Sequence, residues 1–433
     1  MTRIVVGPFN RVEGDLELTL DVEDDRVAAA RVTTPLYRGF EQILIGRPTA
    51  DALVVAPRIC GICSVSQSLA AAAAIAAFSG ATPTPNGALA VALAHAAENL
   101  ADHLSHFYLF FMPDFARSEY ADRPWAAEIA ARFTAIRGSA SADFLPARSR
   151  LLEIMGLVAG KWPHSLAFRA GGTTRALDLG AKTRARAILA DVRGFLESTL
   201  FDRRLEAIAE TATVDDLDRI ADHGRGDFAT FLRLARELEL HRLGPGPGTL
   251  MSYGAYPGVT AAGPLFAAGL FDVASATRAP FAASHITEDP ARSWLAGEAG
   301  SPARAESQPD VDRADAYTWA RAPRYDGRTV EVGALARQLV DGHPAIRALV
   351  ARDGATSVAG RVVARLVEVA RVLPQMETWI GRIVPGAPFC ADVTEPSDGS
   401  GIGLVEAARG GLGHWMTVRG GRITRYQIVA PTT

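Results

Sequence analysis

Apolar positions alternate at the start of the chain, in Arg3–Val6, again in Leu16–Val22, and from Arg26 to Thr33 after an acidic turn at Glu23–Asp25. A period of two around a charged turn predicts a hairpin or small meander over residues 1–35. After Pro35 the spacing changes to the three-to-four repeat of helices and keeps it. It predicts helices over 38–45, 64–78 and 86–111, then over 125–136, 181–210, 226–242, 330–341 and 358–382, with Pro374 kinking or ending a turn of the last. The stretches 244–256 and 297–310, rich in Gly, Pro and Ser, read as irregular connectors. Alternation returns in Met416–Val418 and Thr424–Val429 about Gly420–Gly421, which predicts a hairpin at the C-terminal end. The expected fold is mainly α, of the α+β kind. It is a single unit with a β meander over 1–35, a large helical core over 36–400 and a hairpin over 401–433.

Composition narrows the function classes. With 433 residues, 48% hydrophobic and 21% charged, the chain is globular rather than disordered. A net charge of −3 gives no basic field for nucleic acid. Three cysteines exclude a disulfide-stapled scaffold. The N-terminus has no apolar run of signal-peptide length, so the expectation is a cytoplasmic chain, or one exported on a partner's signal. The uncharged stretch Ile59–Ala97 is alanine-rich and interrupted at Ser79–Gly87, which predicts two buried helices rather than a membrane span.

The strongest local chemistry is Arg58-Ile59-Cys60-Gly61-Ile62-Cys63, just before a helix. Two thiolates three apart at a helix start can face one soft metal, and the helix N-terminus is expected to lower their pKa. Alone, the pair leaves a structural role open. A zinc site needs a second ligand pair, and a thioredoxin-type pair needs a βαβ setting that these surroundings do not provide. Cys390 stands alone and reads as a buried, inert thiol. His103 and His106 read as packing residues, and His414 beside Trp415 as structural. The run from Gly244 to Gly248 lacks the Lys-Ser/Thr of a phosphate loop.

Further motifs flank the pair: Arg11-Val12-Glu13-Gly14, Arg38-Gly39-Phe40-Glu41, Asp102-His103 running on to His106-Phe107-Tyr108, Ala408-Arg409-Gly410-Gly411-Leu412-Gly413-His414-Trp415, and Pro431-Thr432-Thr433. In this order, from Val5 to Thr433, they resemble the large, catalytic subunit of the nickel–iron hydrogenases, nearest the hydrogen-sensing (regulatory) and uptake subgroup. The resemblance implies that Cys63 bridges nickel and iron and that Cys60 is a terminal nickel ligand. It implies Glu13 as the first proton relay, and Glu41 with the Ile428 carbonyl as magnesium ligands. Arg409 would cap the iron's cyanide and carbon monoxide, held by Asp102. Thr432 would donate to the second cyanide, with Ala430 and Pro431 beside it. The implied partner is an iron–sulfur small subunit, because this chain has no cluster-binding cysteine array. A sensor kinase and maturation chaperones are further implied partners, and dihydrogen the substrate.

Three features depart from the family. Its members end in a second Cys-x-x-Cys and a histidine, giving four thiolates, whereas this sequence stops at Thr433 and is read as C-terminally truncated. Gln67 stands where most relatives carry histidine, as the sensing subgroup tends to, and Ala408 stands where proline is usual. The missing pair keeps a second expectation alive, a non-catalytic paralogue serving as scaffold for assembly of the iron–cyanide–carbon monoxide unit.

Overall fold

A computed structural model describes residues 2–9, 15–260 and 263–432. Glu13 with its neighbours Arg11, Val12 and Gly14, and Thr433, lie outside the described residues. The chain opens on a three-stranded antiparallel sheet, Thr2–Val6, Glu17–Glu23 and Arg26–Thr33, in sequence order. Asp21 is buried in it between the guanidinium groups of Arg3 and Arg31, each at 2.7 Å.

Helices follow, as the spacing predicts, around one large apolar core. The helix after Cys63 runs Ser64–Ser79. The next begins at Pro85, with the Thr84 hydroxyl accepting from Gly87 N–H, and runs to Ser105 before widening into a π-helical stretch over His106–Phe111. Val358–Arg382 is one continuous helix, so Pro374 does not end it. Among the described residues no helix is long and apolar enough to cross a membrane.

Several expectations need correction. The 181–210 segment is not one helix: Leu179–Phe195 passes into a π-turn and breaks at Asp202, whose φ is +51°, before a short helix Leu205–Ala209. The 330–341 helix starts only at Ala334, because Gly333 takes φ +113°. The expected connector 244–256 contains the strand Thr249–Ala255, paired with Phe266–Asp272. Its Gly and Pro content hid a buried strand. Among the described residues, helices that the spacing does not predict include Ser139–Ala159, which carries Pro146, Val214–His223 and Pro344–Asp353. The C-terminal hairpin is part of a three-stranded meander, Gly399–Ala407, Gly410–Arg419 and Arg422–Val429.

That meander lies on the Ser64–Ser79 helix at backbone contact. A Cβ on Gly403 would sit 1.9 Å from the Ala70 carbonyl oxygen, and one on Gly401 the same distance from that of Ala74. Four helical residues advance about 6 Å and two strand residues about 6.7 Å, so the two repeats match. Gly403 meets the earlier helical residue, so strand and helix run in opposite directions, and the strand's end is carried toward Cys63. Gly403→Ala is therefore expected to destabilise the protein by roughly 1–3 kcal/mol. Gly381→Ala, at an exposed helical position where an added Cβ meets nothing within 4 Å, should instead leave the unfolding midpoint unchanged or slightly raised in denaturant titrations.

Candidate metal centre

The two cysteines sit in a tight loop between the turn Ala56–Arg58 and the helix that begins at Ser64. Cys63 is the residue before that helix, and its N–H donates to Cys60 Sγ at 3.3 Å. The two sulfurs meet as a vicinal pair, with 5.5 Å between the Cα atoms. Both ends of the loop are pinned. His164 Nδ1 donates to the Pro57 carbonyl at 2.7 Å, and His164 N–H donates to Ser64 Oγ at 3.2 Å.

Beyond the loop, the fully buried Glu98 accepts from Val65 N–H, Ser66 N–H, Ser66 Oγ and Trp162 Nε1, at 2.8 to 3.1 Å. Burial pushes its carboxyl up to about 7, while these four donors pull the other way. The first turn of the helix thus already has a buried carboxyl partner. Its free N–H groups at Val65 and Ser66 serve Glu98 rather than the sulfurs.

Cys60, Cys63 and Gln67 line a cavity of about 410 Å³ together with Glu41, Arg409, Ile428, Ala430, Pro431 and Thr432. Segments separated by more than three hundred residues thus share one wall. Asp102 stands behind it, accepting from Arg409 Nη2 at 2.9 Å. Asp15, two residues beyond Glu13, also borders the cavity. Gln67 is oriented by residues that the sequence reading left as structural. Its Oε1 accepts from His414 Nε2 at 2.8 Å, so the His414 Nδ1 accepts from the Tyr426 hydroxyl at 2.7 Å. Burial holds His414 down to about 3, hence neutral, and its bond to Oε1 turns the Gln67 amide nitrogen away from the imidazole.

A second, oxygen-rich corner surrounds Glu41, whose carboxyl is pushed up by burial. Glu288, also buried, is pushed up to about 7 by burial and accepts from Gln427 Nε2 at 3.0 Å. Its Oε2 is without a hydrogen-bond partner, the Arg321 Nε being 3.7 Å away. An orphaned carboxylate oxygen beside a second carboxylate, with the Ile428 strand in the same wall, fits a hard cation. Glu98, Glu288 and Arg321 were not legible as site residues, because only tertiary packing brings them here.

The vicinal sulfurs fit a soft metal and supply two of the four thiolates that the resemblance implies. Cys390 does not add to them. It is half-buried, bridges by backbone to Gly172 and lies off the cavity wall, so it is less enclosed than expected. Among the described residues no group of three or more His, Cys, Asp or Glu is gathered to hold an ion.

Known proteins resemble this chain over nearly its whole length. The large subunit of the periplasmic NiFeSe hydrogenase of Desulfomicrobium baculatum is 25% identical over 99% of this chain and 85% of its own length. The uptake hydrogenase large subunit of Afipia carboxidovorans is 24% identical over 100% of this chain and 87% of its own. The solved Ni-Fe-Se hydrogenase from D. vulgaris Hildenborough, in the reduced state, superposes with a TM-score of 0.82 at 28% identity, covering 99% of this chain and 89% of that one. The family described as nickel-dependent hydrogenase matches residues 38–152 and 142–433, which take in both cysteines, the arginine turn and the last strand, and the chain belongs to that family.

Proposed function

We propose that this chain is the catalytic large subunit of a nickel–iron hydrogenase that splits dihydrogen heterolytically, for uptake or for sensing. The observation that carries the reading is the convergence of Cys60, Cys63, Arg409 and Ala430–Thr432 on one cavity, in a chain of the nickel-dependent hydrogenase family. A thiolate-held nickel–iron pair, when bound, supplies a Lewis-acidic centre that polarises dihydrogen.

The chain's own residues do the rest. Cys60 and Cys63 would hold the metals. Arg409, with one nitrogen on Asp102, would offer its remaining N–H groups to cyanide and carbon monoxide on a bound iron, since a guanidinium fork suits a cyanide nitrogen. Thr432 gives a hydroxyl donor on the same wall, and the Ala430–Pro431 backbone shapes it. Gln67, held by His414 through its amide oxygen, borders the cavity beside the cysteines. Glu13 would be the first relay for the proton. Glu41 and the Ile428 carbonyl would hold magnesium, with Glu288 nearby as a further acceptor.

Electrons leave through an iron–sulfur small subunit. The N-terminal sheet leaves Ile4, Val5, Val6, Val27 and Val32 exposed, and Ile62 is exposed between the two cysteines. Apolar surface of that extent favours a protein partner. The sensing role, with a sensor kinase downstream, rests on Gln67. The uptake role rests on relatives named uptake hydrogenases. Maturation chaperones would load the site, and we place the complex in the cytoplasm. No relative described here is named as an assembly scaffold, and that alternative gains no support.

The test is metal analysis and hydrogen-dependent dye reduction by the large–small complex purified under anaerobic conditions. Cys63→Ser should lose both nickel and iron, and stoichiometric metal in that variant would sink the reading. Glu13→Gln should keep both metals and slow hydrogen–deuterium exchange by roughly 10²-fold, and unchanged exchange would remove Glu13 from its role. Glu41→Gln should lower bound magnesium, measured by emission spectroscopy after gel filtration, while nickel remains. Retained magnesium would place that ion elsewhere.

A further inference from the structure

We infer that Arg337 is a positioning residue for the cavity: it holds the carbonyls of Ala407 and Ala408 from behind, and so fixes the direction in which Arg409 leaves its turn. The inference rests on the proposed role of Arg409.

Arg337 lies in the helix Ala334–Asp341, is fully buried and does not line the cavity. Its five N–H donors are all engaged. Nε donates to Glu368 Oε2 at 2.9 Å. Nη1 donates to Glu406 Oε2 at 2.8 Å and to the Ala407 carbonyl at 3.0 Å. Nη2 donates to Glu368 Oε1 at 2.9 Å and to the Ala408 carbonyl at 3.3 Å. Neutralising the two carboxylates would not require the backbone contacts. Those fall on Ala407, the last residue of the strand, and on Ala408, the first of the two turn residues that join it to Gly410, the second being Arg409.

The same helix start seats the turn from its other side. A Cβ on Gly410, at φ +131°, would lie 2.5 Å from Val332 Cγ2 and 2.7 Å from Gly333 N, and Gly333 O accepts from the backbone N–H of Arg337. The partner of Arg409 is tied to the same anion. Glu368 Oε1 also accepts from His103 Nε2 at 3.2 Å, and His103 adjoins Asp102 on the Pro85–Ser105 helix. Glu406 is tied in turn, its Oε1 accepting from Tyr253 N–H at 2.7 Å. One guanidinium therefore sets the spacing between the Asp102 turn of the helix and the Arg409 turn of the sheet.

A lysine at 337 keeps the charge, but its single ammonium cannot serve two carboxylates and two carbonyls at once. The test is a double-mutant cycle in the large–small complex, read by hydrogen-dependent dye reduction and by the infrared cyanide bands of the iron. Arg409→Lys is expected to shift those bands and lower the rate at least tenfold. Arg337→Lys should reproduce the band shift, and the double variant should be no slower than Arg409→Lys alone. Ala408→Pro, which presets φ at the first central position of the turn, should move the bands of Arg337→Lys back toward the parent. If Arg337→Lys does not assemble, the charge-balanced pair Arg337→Gln/Glu406→Gln takes its place, with the same shift and the same non-additivity expected. Unmoved bands in the Arg337 variants, or losses that multiply with Arg409→Lys, overturn the inference and leave the Arg409 role standing. An Arg409→Lys variant with parental rate and bands overturns both.

Discussion

Backbone meets backbone where the alanine-rich helix Ser64–Ser79 crosses the strand Gly399–Ala407, and the site depends on that contact. No side chain separates the two at Gly401 and Gly403, so the carbonyls of Ala70 and Ala74 rest on the glycine backbone. The approach is closer than any other residue type would permit. It also fixes the register: two steps along the strand match one turn of the helix. The helix starts just after Cys63 and the strand ends just before Arg409, so this one register sets how far the thiolates stand from the guanidinium.

Around that contact the protein places its polar groups in two ways. At the cysteine loop, Glu98 and His164 satisfy the N–H groups and carbonyl at either end of the loop, which leaves the loop itself free to present sulfur. At the arginine turn, a buried cation between two carboxylates does the same for the backbone of Ala407 and Ala408. Buried ion pairs of this kind are weak evidence for stability, because desolvation offsets much of the attraction. Their complete set of partners points instead to geometry as what they secure. Asn99, which donates to the Glu406 carbonyl and the Tyr256 hydroxyl, adds a third tie between helix and strand.

Much of the local structure was legible. The cysteine helix, the long helix after it, the helix from Val358 and the turn at Gly420–Gly421 follow from periodicity and turn residues alone. Where the reading failed, a tertiary cause is visible. Thr249–Ala255 is a strand because it pairs with Phe266–Asp272 across a glycine- and proline-rich stretch. Ser139–Ala159 stayed unread because Pro146 and its serines argue locally against a helix, yet its apolar face is buried in the main core.

The residues proposed to carry the chemistry are visible in the sequence itself. A Cys-x-x-Cys pair before a helix, a lone arginine in a glycine-rich turn and the final Ala430–Thr432 segment are identities, and identities are read directly. Only the tertiary structure decided which groups serve them. Glu98, Glu288, Arg337 and Glu368 are charged residues whose spacing gives no sign that they are buried. Their roles come from the removal of water and from partners more than thirty residues distant, for example Glu98 under Val65 and Glu406 beside Arg337. Burial makes a carboxylate or guanidinium depend on every donor and acceptor around it, and that surrounding set exists only once the chain has folded.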